Sequence, residues 1–511
     1  MRLSLALLLI AAVPPPVAAQ EVVTSAGPDA VAVSVFRDPE RAEGGEIDPR
    51  WLNGFALISE TRTIDLPAGE AVLRFEGVAE GMVAVSAIVT GLPGGVAQKN
   101  RDAALLSPAS LLDGSLGNRV HIRRTDRATG VVREEDAIIR SGPAGAVVLQ
   151  TAAGYEALRC TGLPETLVYD GVPPGLTAKP TLSVTTRSPA AGRATVTLTY
   201  LATGFDWASN YVARVAPDGR TLDLFAWLTV ANSNGESFVD ASLSALAGTV
   251  RIERDYRELA EAPPSPALRL SCFPTGSGRY GRQAPPPPAP PPPPPPAPMM
   301  AAAPTEIMVT ARMRSEAVVD TAKLEELGDL KLYRVPFPVT VAANGQKQVA
   351  LLVKDGVPFD TIHRARMGIG GQEATQPTEI ILRMRNKEEA KLGVPLPSGQ
   401  VAVFEQAGGR EMLAGEGRMR DHAVGERINL VIGESSQVRV DTERTARDAR
   451  VTVTNANPFA VTFELGFYVD DDGRLDPRLR RLPRQDGLPT WTVRVPANGV
   501  QTFDYRLGKG E

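Results

Sequence analysis

Histidine, cysteine and aromatic residues are scarce in this 511-residue chain, which has three histidines, two cysteines and only 5% Phe, Tyr and Trp. Each scarcity excludes a class of chemistry. Zinc sites need His, Cys or carboxylate ligands at fixed spacing, and His121, His363 and His422 are isolated, with no His-Glu-x-x-His pattern. They read as surface or structural residues. The chain has no Gly-x-Ser-x-Gly elbow and no phosphate loop ending in Gly-Lys-Ser/Thr. No catalytic residue, cofactor or metal is expected. An excess of one charge is missing too: 55 basic and 59 acidic residues, interspersed, leave a net charge of −4 and no footprint for nucleic acid. Beyond the N-terminus no apolar run approaches the ~18 residues of a transmembrane helix. The low aromatic content gives no girdle signal for a membrane β-barrel.

What is present begins with an export signal. Arg2, the apolar stretch Leu3 to Val13, the Pro14-Pro15-Pro16 break and Val17-Ala18-Ala19 follow the order that a signal peptidase reads. Residues 1–19 are expected to be removed near Ala19, and no cysteine follows to carry a lipid anchor. The expected product is a soluble periplasmic or secreted protein. In that oxidising setting Cys160 and Cys272 read as one disulfide.

Residues 285–298 are proline except Ala289 and Ala297, a composition that forces an extended polyproline helix and cannot lie inside a domain. Gly276-Ser277-Gly278 and Met299 to Ala303 widen this spacer into a disordered, flexible insertion over 274–320. Elsewhere period-two alternation of apolar residues, bounded by Gly, Pro, Asn and Asp, predicts strands. Three turns, at Pro67-Ala68-Gly69, Ala343-Asn344-Gly345 and Ala497-Asn498-Gly499, sit between such runs and read as β-hairpins. Thr321 to Leu330 and Asp476 to Arg481 are the best short helices. The fold class is mainly β, with two β-sandwich-like domains over 20–185 and 186–508, the second interrupted by the insertion. A rupture into separate domains at the linker is the alternative.

Tyr200-Leu201-Ala202-Thr203-Gly204-Phe205-Asp206-Trp207 and Tyr211, then Asn232 to Phe238 and Leu243 to Gly248, resemble the core motif of domain of unknown function 4139. Leu332 to Thr340 and the closing Trp491-Thr492-Val493 segment extend the likeness over most of 185–508. Thr61 to Pro93 is similar to the N-terminal domain of proteins like the mucoidy inhibitor A family. Those proteins usually carry a coiled coil between the two domains, and no heptads occur here. The resemblance implies an uncharacterised envelope protein and brings no catalytic residue with it.

Three further segments suggest binding. Asp470-Asp471-Asp472-Gly473 with Asp476 offers carboxylates, but Arg474 stands where a calcium loop needs a third ligand, so an acidic turn is expected. Thr305-Glu306-Ile307-Met308-Val309-Thr310-Ala311 resembles the short box by which outer-membrane receptors add a strand to the energy-coupling protein TonB, and is the candidate partner-pairing strand. Trp207 and Tyr211, with Trp227 nearby, read as core ahead of a sugar platform. The expected function is a non-enzymatic interaction or scaffold role in the cell envelope, with an envelope protein or glycan as partner. Action on envelope polysaccharide, as an enzyme or a binding protein, is the alternative.

Overall fold

In the computed structural model, residues 21–506 are described apart from 103–105, 127–128, 142–146, 158–164, 174–175, 249, 251–259, 261–319, 370–373, 446 and 469–475. The export signal, both cysteines, the polyproline spacer, the segment 305–311 and the turn 470–473 lie outside the described residues.

The described chain is mainly β and sandwich-like. Its first strands are β1 (Glu21–Ser25), β2 (Ala30–Phe36), β3 (Gly54–Leu66), β4 (Gly69–Glu76), β5 (Ile88–Thr90) and β6 (Gln98–Asp102). A small sheet follows, made of β7 (Arg119–Thr125), β8 (Val132–Ile139), β9 (Val148–Thr151), β10 (Gly154–Ala157) and β11 (Glu165–Tyr169). Next come β12 (Thr181–Ser188), β13 (Gly192–Val215), β14 (Thr221–Asn232) and β15 (Phe238–Ala247). After the insertion the chain resumes with β16 (Lys323–Leu327), β17 (Leu330–Arg334), β18 (Val339–Val341), β19 (Gly345–Pro358), β20 (Asp360–Gly368) and β21 (Ala374–Arg385). It ends with β22 (Gly399–Ala407), β23 (Arg410–Met419), β24 (Arg427–Arg444), β25 (Asp448–Asn455), β26 (Val461–Tyr468), β27 (Arg484–Gln485), β28 (Leu488–Val495) and β29 (Gly499–Arg506).

The 24-residue strand β13 is the spine of the molecule. One edge pairs antiparallel with β3 and then, further along, parallel with β22; the other meets β5 and then β14. Around it the strands run β16-β17-β15-β2-β3-β13-β14-β19, with β22 and β23 branching off. This sheet curls until its two ends touch, where Ala322 N donates to Ala350 O at 3.0 Å. Strands on either side of the insertion share it, because β14 pairs β19 and β15 pairs β17. The expected boundary at 185/186 falls inside β12, and β3 pairs with β13 across it over nearly its whole length. Alternation marks strands without naming their partners, which is why the sheet runs through that boundary.

The three turns read as hairpins do something else. At each one the flanking strands pair with different partners: β3 with β13 but β4 with β12, β18 with β15 but β19 with β14, and β28 with β26 but β29 with β25. Each turn is therefore an arch between packed layers, stacked on a second arch. Asn344 and Asn498 do hold the positive φ angles expected, 46° and 49°. Their backbone curls as predicted, but the apolar faces close on each other across the core.

Two of these double arches are copies of one design. In the first, Asn232 faces Gly345 and Phe238 faces Val341; in the second, Asn455 faces Gly499 and Val461 faces Val495, with the same spacing along both chains. Asn232 Nδ2 donates to Glu236 O and Ala342 O at 3.0 and 3.1 Å, and Asn455 Nδ2 to Phe459 O and Pro496 O at 2.8 Å each. Asn344 N donates to Asn234 O at 3.1 Å just as Asn498 N donates to Asn457 O at 3.0 Å. Both Asn232 and Asn455 are buried, so each amide replaces the water those carbonyls lose.

The second body is the sheet β27-β28-β26-β20-β21-β24-β25-β29. Its halves face each other through Trp491 and Phe503, stacked at 5.2 Å, and through Phe467 against Tyr505 at 5.4 Å. Its β21 and β24 also reach the first body, where Leu382, Met384, Leu430 and Ile432 join the core of Val401 and Val403. Gly415 permits that approach, since a Cβ there would sit 2.0 Å from Ile432 O. Two short elements differ in opposite ways. Residues 321–330, expected helical, form β16 and the start of β17, because pairing of Lys323–Leu327 with Leu330–Arg334 outweighs local propensity. Pro477–Arg480 is the expected helical turn, capped by Asp476, whose carboxylate accepts from Arg478 N.

Candidate functional site

Most buried ionisable groups are bound to one another. Arg62, fully buried, gives Nε and Nη2 to Glu60 Oε2 at 2.9 and 2.6 Å, and reaches Ser25 O and Glu76 O at 2.9 Å each. Tyr200 donates its hydroxyl to Glu60 Oε1 at 2.7 Å and accepts from Ala79 N at 3.0 Å. Burial, with the Glu60 charge beside it, pushes this phenol well above its ordinary value, so it stays protonated. In the second body Arg383 clasps Glu464 with both nitrogens at 2.6 and 2.8 Å, and Arg364 bridges Glu464 and Asp486. Burial alone would raise Glu464, but the two guanidiniums outweigh it and the net direction is down. Asp206, raised by burial, still accepts from Asp38 N, Trp207 N and Arg41 Nη2 at 3.0, 2.7 and 3.1 Å. Such networks stabilise little in sum but are costly to break. They brace strands, and the network of Arg41 with Asp206 borders a small cavity of about 150 Å³ shared with Arg37, Asp38 and Asp421.

The histidines are equally committed. His363 is buried near Thr378 and pushed down by burial. His422 is buried with Nδ1 at 3.0 Å from Glu426 Oε2, and burial again sets its downward direction. On the small sheet His121 lies between Asp170 and Asp136, each at 2.8 Å, which together raise it.

Trp207 and Tyr211 are core, as the alternation of β13 predicts. Trp207 Nε1 donates to Leu246 O at 2.9 Å, with the Arg37 guanidinium 4.7 Å over its ring. Tyr211 and Tyr333 donate to Pro397 O and Pro395 O at 2.6 and 3.2 Å, fastening the 394–397 loop over the seam of the curled sheet. Beside that loop a groove of about 460 Å³ runs between Ala322, Leu324, Leu351, Leu352, Val394 and Leu396. Its phenols are spent on the loop, and Thr321 and Lys354 add polar groups to an otherwise apolar lining.

Trp227 points the other way. On β14, Leu222, Leu224, Ala226, Leu228 and Val230 are buried in the core, so Phe225, Trp227 and Thr229 fall on the other face, where the two rings are half-buried and Thr229 is buried. The outer phase of a strand is usually polar, and two aromatic residues there are a readable signal that sequence inspection passed over. Register extends the face across neighbouring strands. One row runs Gln400, Asn210, Trp227, and the next runs Ala402, Val212, Phe225, Val353. Phe225 and Trp227 meet at 4.7 Å with planes 73° apart, forming an L-shaped step. Thr229 Oγ1 donates to Asn210 Oδ1 at 2.9 Å and accepts from Gln348 Nε2 at 3.1 Å. Phe404, beside Arg214, flanks the step, and Arg214 Nε is paired with Glu411 Oε1 at 2.7 Å.

Fold and face together describe a β-scaffold that presents an aromatic and amide surface. Compared with known proteins, the chain matches no family model and no curated protein. Among the described residues no helix is long and apolar enough to cross a membrane, and no group of His, Cys, Asp and Glu could hold a metal.

Proposed function

We propose that this chain is an exported, non-enzymatic binding component of the cell envelope, and that the open face of β22, β13, β14 and β19 is where it binds. The observation that carries this reading is a division of labour. Many interior acids and arginines are spent on bracing, as in Glu60 with Arg62 and Tyr200, whereas the outer face sets the rings of Phe225 and Trp227 beside amides that keep polar atoms open after their bonds to Thr229. Aromatic groups half-buried on a flat face, beside free amides, suit adhesion better than bond breaking. The sequence signal at 1–19 supports the compartment, and the resemblance through Tyr200 to Trp207 and Asn232 to Phe238 supports kinship with envelope proteins of the 4139 domain class. The proposed Cys160 to Cys272 disulfide would be read as a two-hydrogen mass shift on reduction.

The test is retention of the full chain on envelope extract, compared with Trp227→Ala. Loss of retention in the variant supports the reading; equal retention refutes it. Deleting residues 284–311 in a second arm asks whether the TonB-box-like segment contributes, and there the reading expects retention to persist.

A further inference from the structure

We infer that the open face recognises an uncharged glycan chain, an inference that rests on the binding role proposed for the same face. Three observations name the chemistry. First, the two central rows, from Gln400 through Asn210 to Trp227 and from Ala402 through Val212 and Phe225 to Val353, contain no charged residue, and the charges at their margin are of both signs: Arg418 and Glu416 stand opposite Gln400 and Ala402 on β23, and Arg214 is paired with Glu411. A polymer of one strong charge finds no matching excess along that mixed margin, and on the central rows it would lose water without compensation.

Second, the polar groups are of both kinds. Among the described residues, Asn210 uses only Oδ1 and Gln348 only Nε2 within the protein, so a pair of amide donors and an amide acceptor stand open on this face. Gln400, in register with Asn210, adds another amide without a hydrogen-bond partner among the described residues. Sugar hydroxyls are donor and acceptor at once, and planar amides meet that mixed demand. Third, Phe225 and Trp227 supply a stacking surface beside those amides. Their perpendicular planes form a step in which a ring rests on one aromatic face and abuts the other. The polar groups Gln400, Asn210, Thr229 and Gln348 lie in two neighbouring rows on four adjacent strands, β22, β13, β14 and β19, which span about 14 Å at ~4.8 Å between strands. That length suits an oligosaccharide segment rather than a single sugar.

The face also differs from a protein-docking patch. Its apolar residues are interrupted by Asn210, Thr229 and Gln400, whereas stable protein interfaces place a dry apolar cluster at their centre.

The experiment is native affinity electrophoresis of the full chain through gels containing hydroxyethyl cellulose, galactomannan or dextran as neutral probes, and alginate as the acidic one. At least one neutral polymer is expected to retard the wild type, with little effect from alginate. Trp227→Ala is expected to weaken that retardation about tenfold, the loss of one aromatic contact. Gln348→Ala, an exposed change that leaves the core untouched, is expected to weaken it several-fold. Unchanged hydrogen-exchange protection of the buried strand neighbours identifies a folded variant. No retardation by any neutral polymer, equal retardation by alginate, or retardation indifferent to both substitutions overturns the inference. If Trp227→Ala abolishes retention on envelope extract while no neutral polymer retards the wild type, the binding face stands and the glycan falls. If envelope retention is itself indifferent to Trp227→Ala, the functional reading falls as well.

Discussion

Replacing Asn232 or Asn455 by alanine tests whether the two double arches are equivalent. Each asparagine is almost fully buried and makes four hydrogen bonds, two given by Nδ2 to carbonyls of both arches and two received by Oδ1. The side-chain amides of Asn234 and Asn457 can turn to other partners, so three backbone groups lose theirs in each variant. At about 1 kcal/mol for each bond, Asn232→Ala and Asn455→Ala should each cost roughly 3 kcal/mol. A chain of this size need not unfold in one step, so the assay is local: hydrogen exchange of the full protein by mass spectrometry. Asn232→Ala should speed exchange about a hundredfold in peptides covering 232–238 and 341–345, leaving 455–461 and 495–499 unchanged. Asn455→Ala should give the reverse pattern with an increment within about tenfold of the first. A change below fivefold for either variant, or one spreading to both arches, would refute the equivalence.

The remaining predictions concern charge and close approach. Glu464 lies below its ordinary value despite burial, so its stabilisation is present above the unfolded value near 4.5 and lost as pH falls through the folded one. Urea midpoints should drop over that acidic range, and Glu464→Gln should flatten the slope while costing about 3 kcal/mol at neutral pH. His121, raised first by Asp170 and next by Asp136, should titrate above 6.5 by NMR, and Asp170→Asn should lower it more than Asp136→Asn. Its contribution is present below 6.5 and lost as pH rises through the folded value; a folded pKa at or below 6.5 contradicts the geometry. Gly415→Ala would place a Cβ 2.0 Å from Ile432 O and should cost about 3 kcal/mol, whereas Gly171→Ala, with nothing within 4 Å, should be neutral in thermal melts.

The strand content was readable because alternation reports one buried face, and β13 follows it from Val196 to Ala202 and β14 from Leu222 to Leu228. Pairing was not. Asn344 and Asn498 carry the turn chemistry of hairpins, yet the flanking strands diverge because both must bury apolar faces in opposed layers. Parallel contacts such as β13 with β22 join residues 209 and 399, a separation that local signals do not carry. The candidate face was half legible. Trp227 drew notice as an aromatic near Trp207, but its phase relative to Leu228 and Ala226 assigns it to the outside. Asn210, Gln348 and Gln400 come together only through register, so no inspection of one strand would have assembled them.

The central claim is that binding belongs to this outer face and not to the apolar seam. Hydrogen exchange of the full chain with and without envelope extract compares the two directly. New protection should appear in peptides covering 208–214, 223–230 and 346–350, and should vanish in Trp227→Ala. Protection confined to 321–324 and 394–397, beside the groove, or no protection anywhere, would contradict the account.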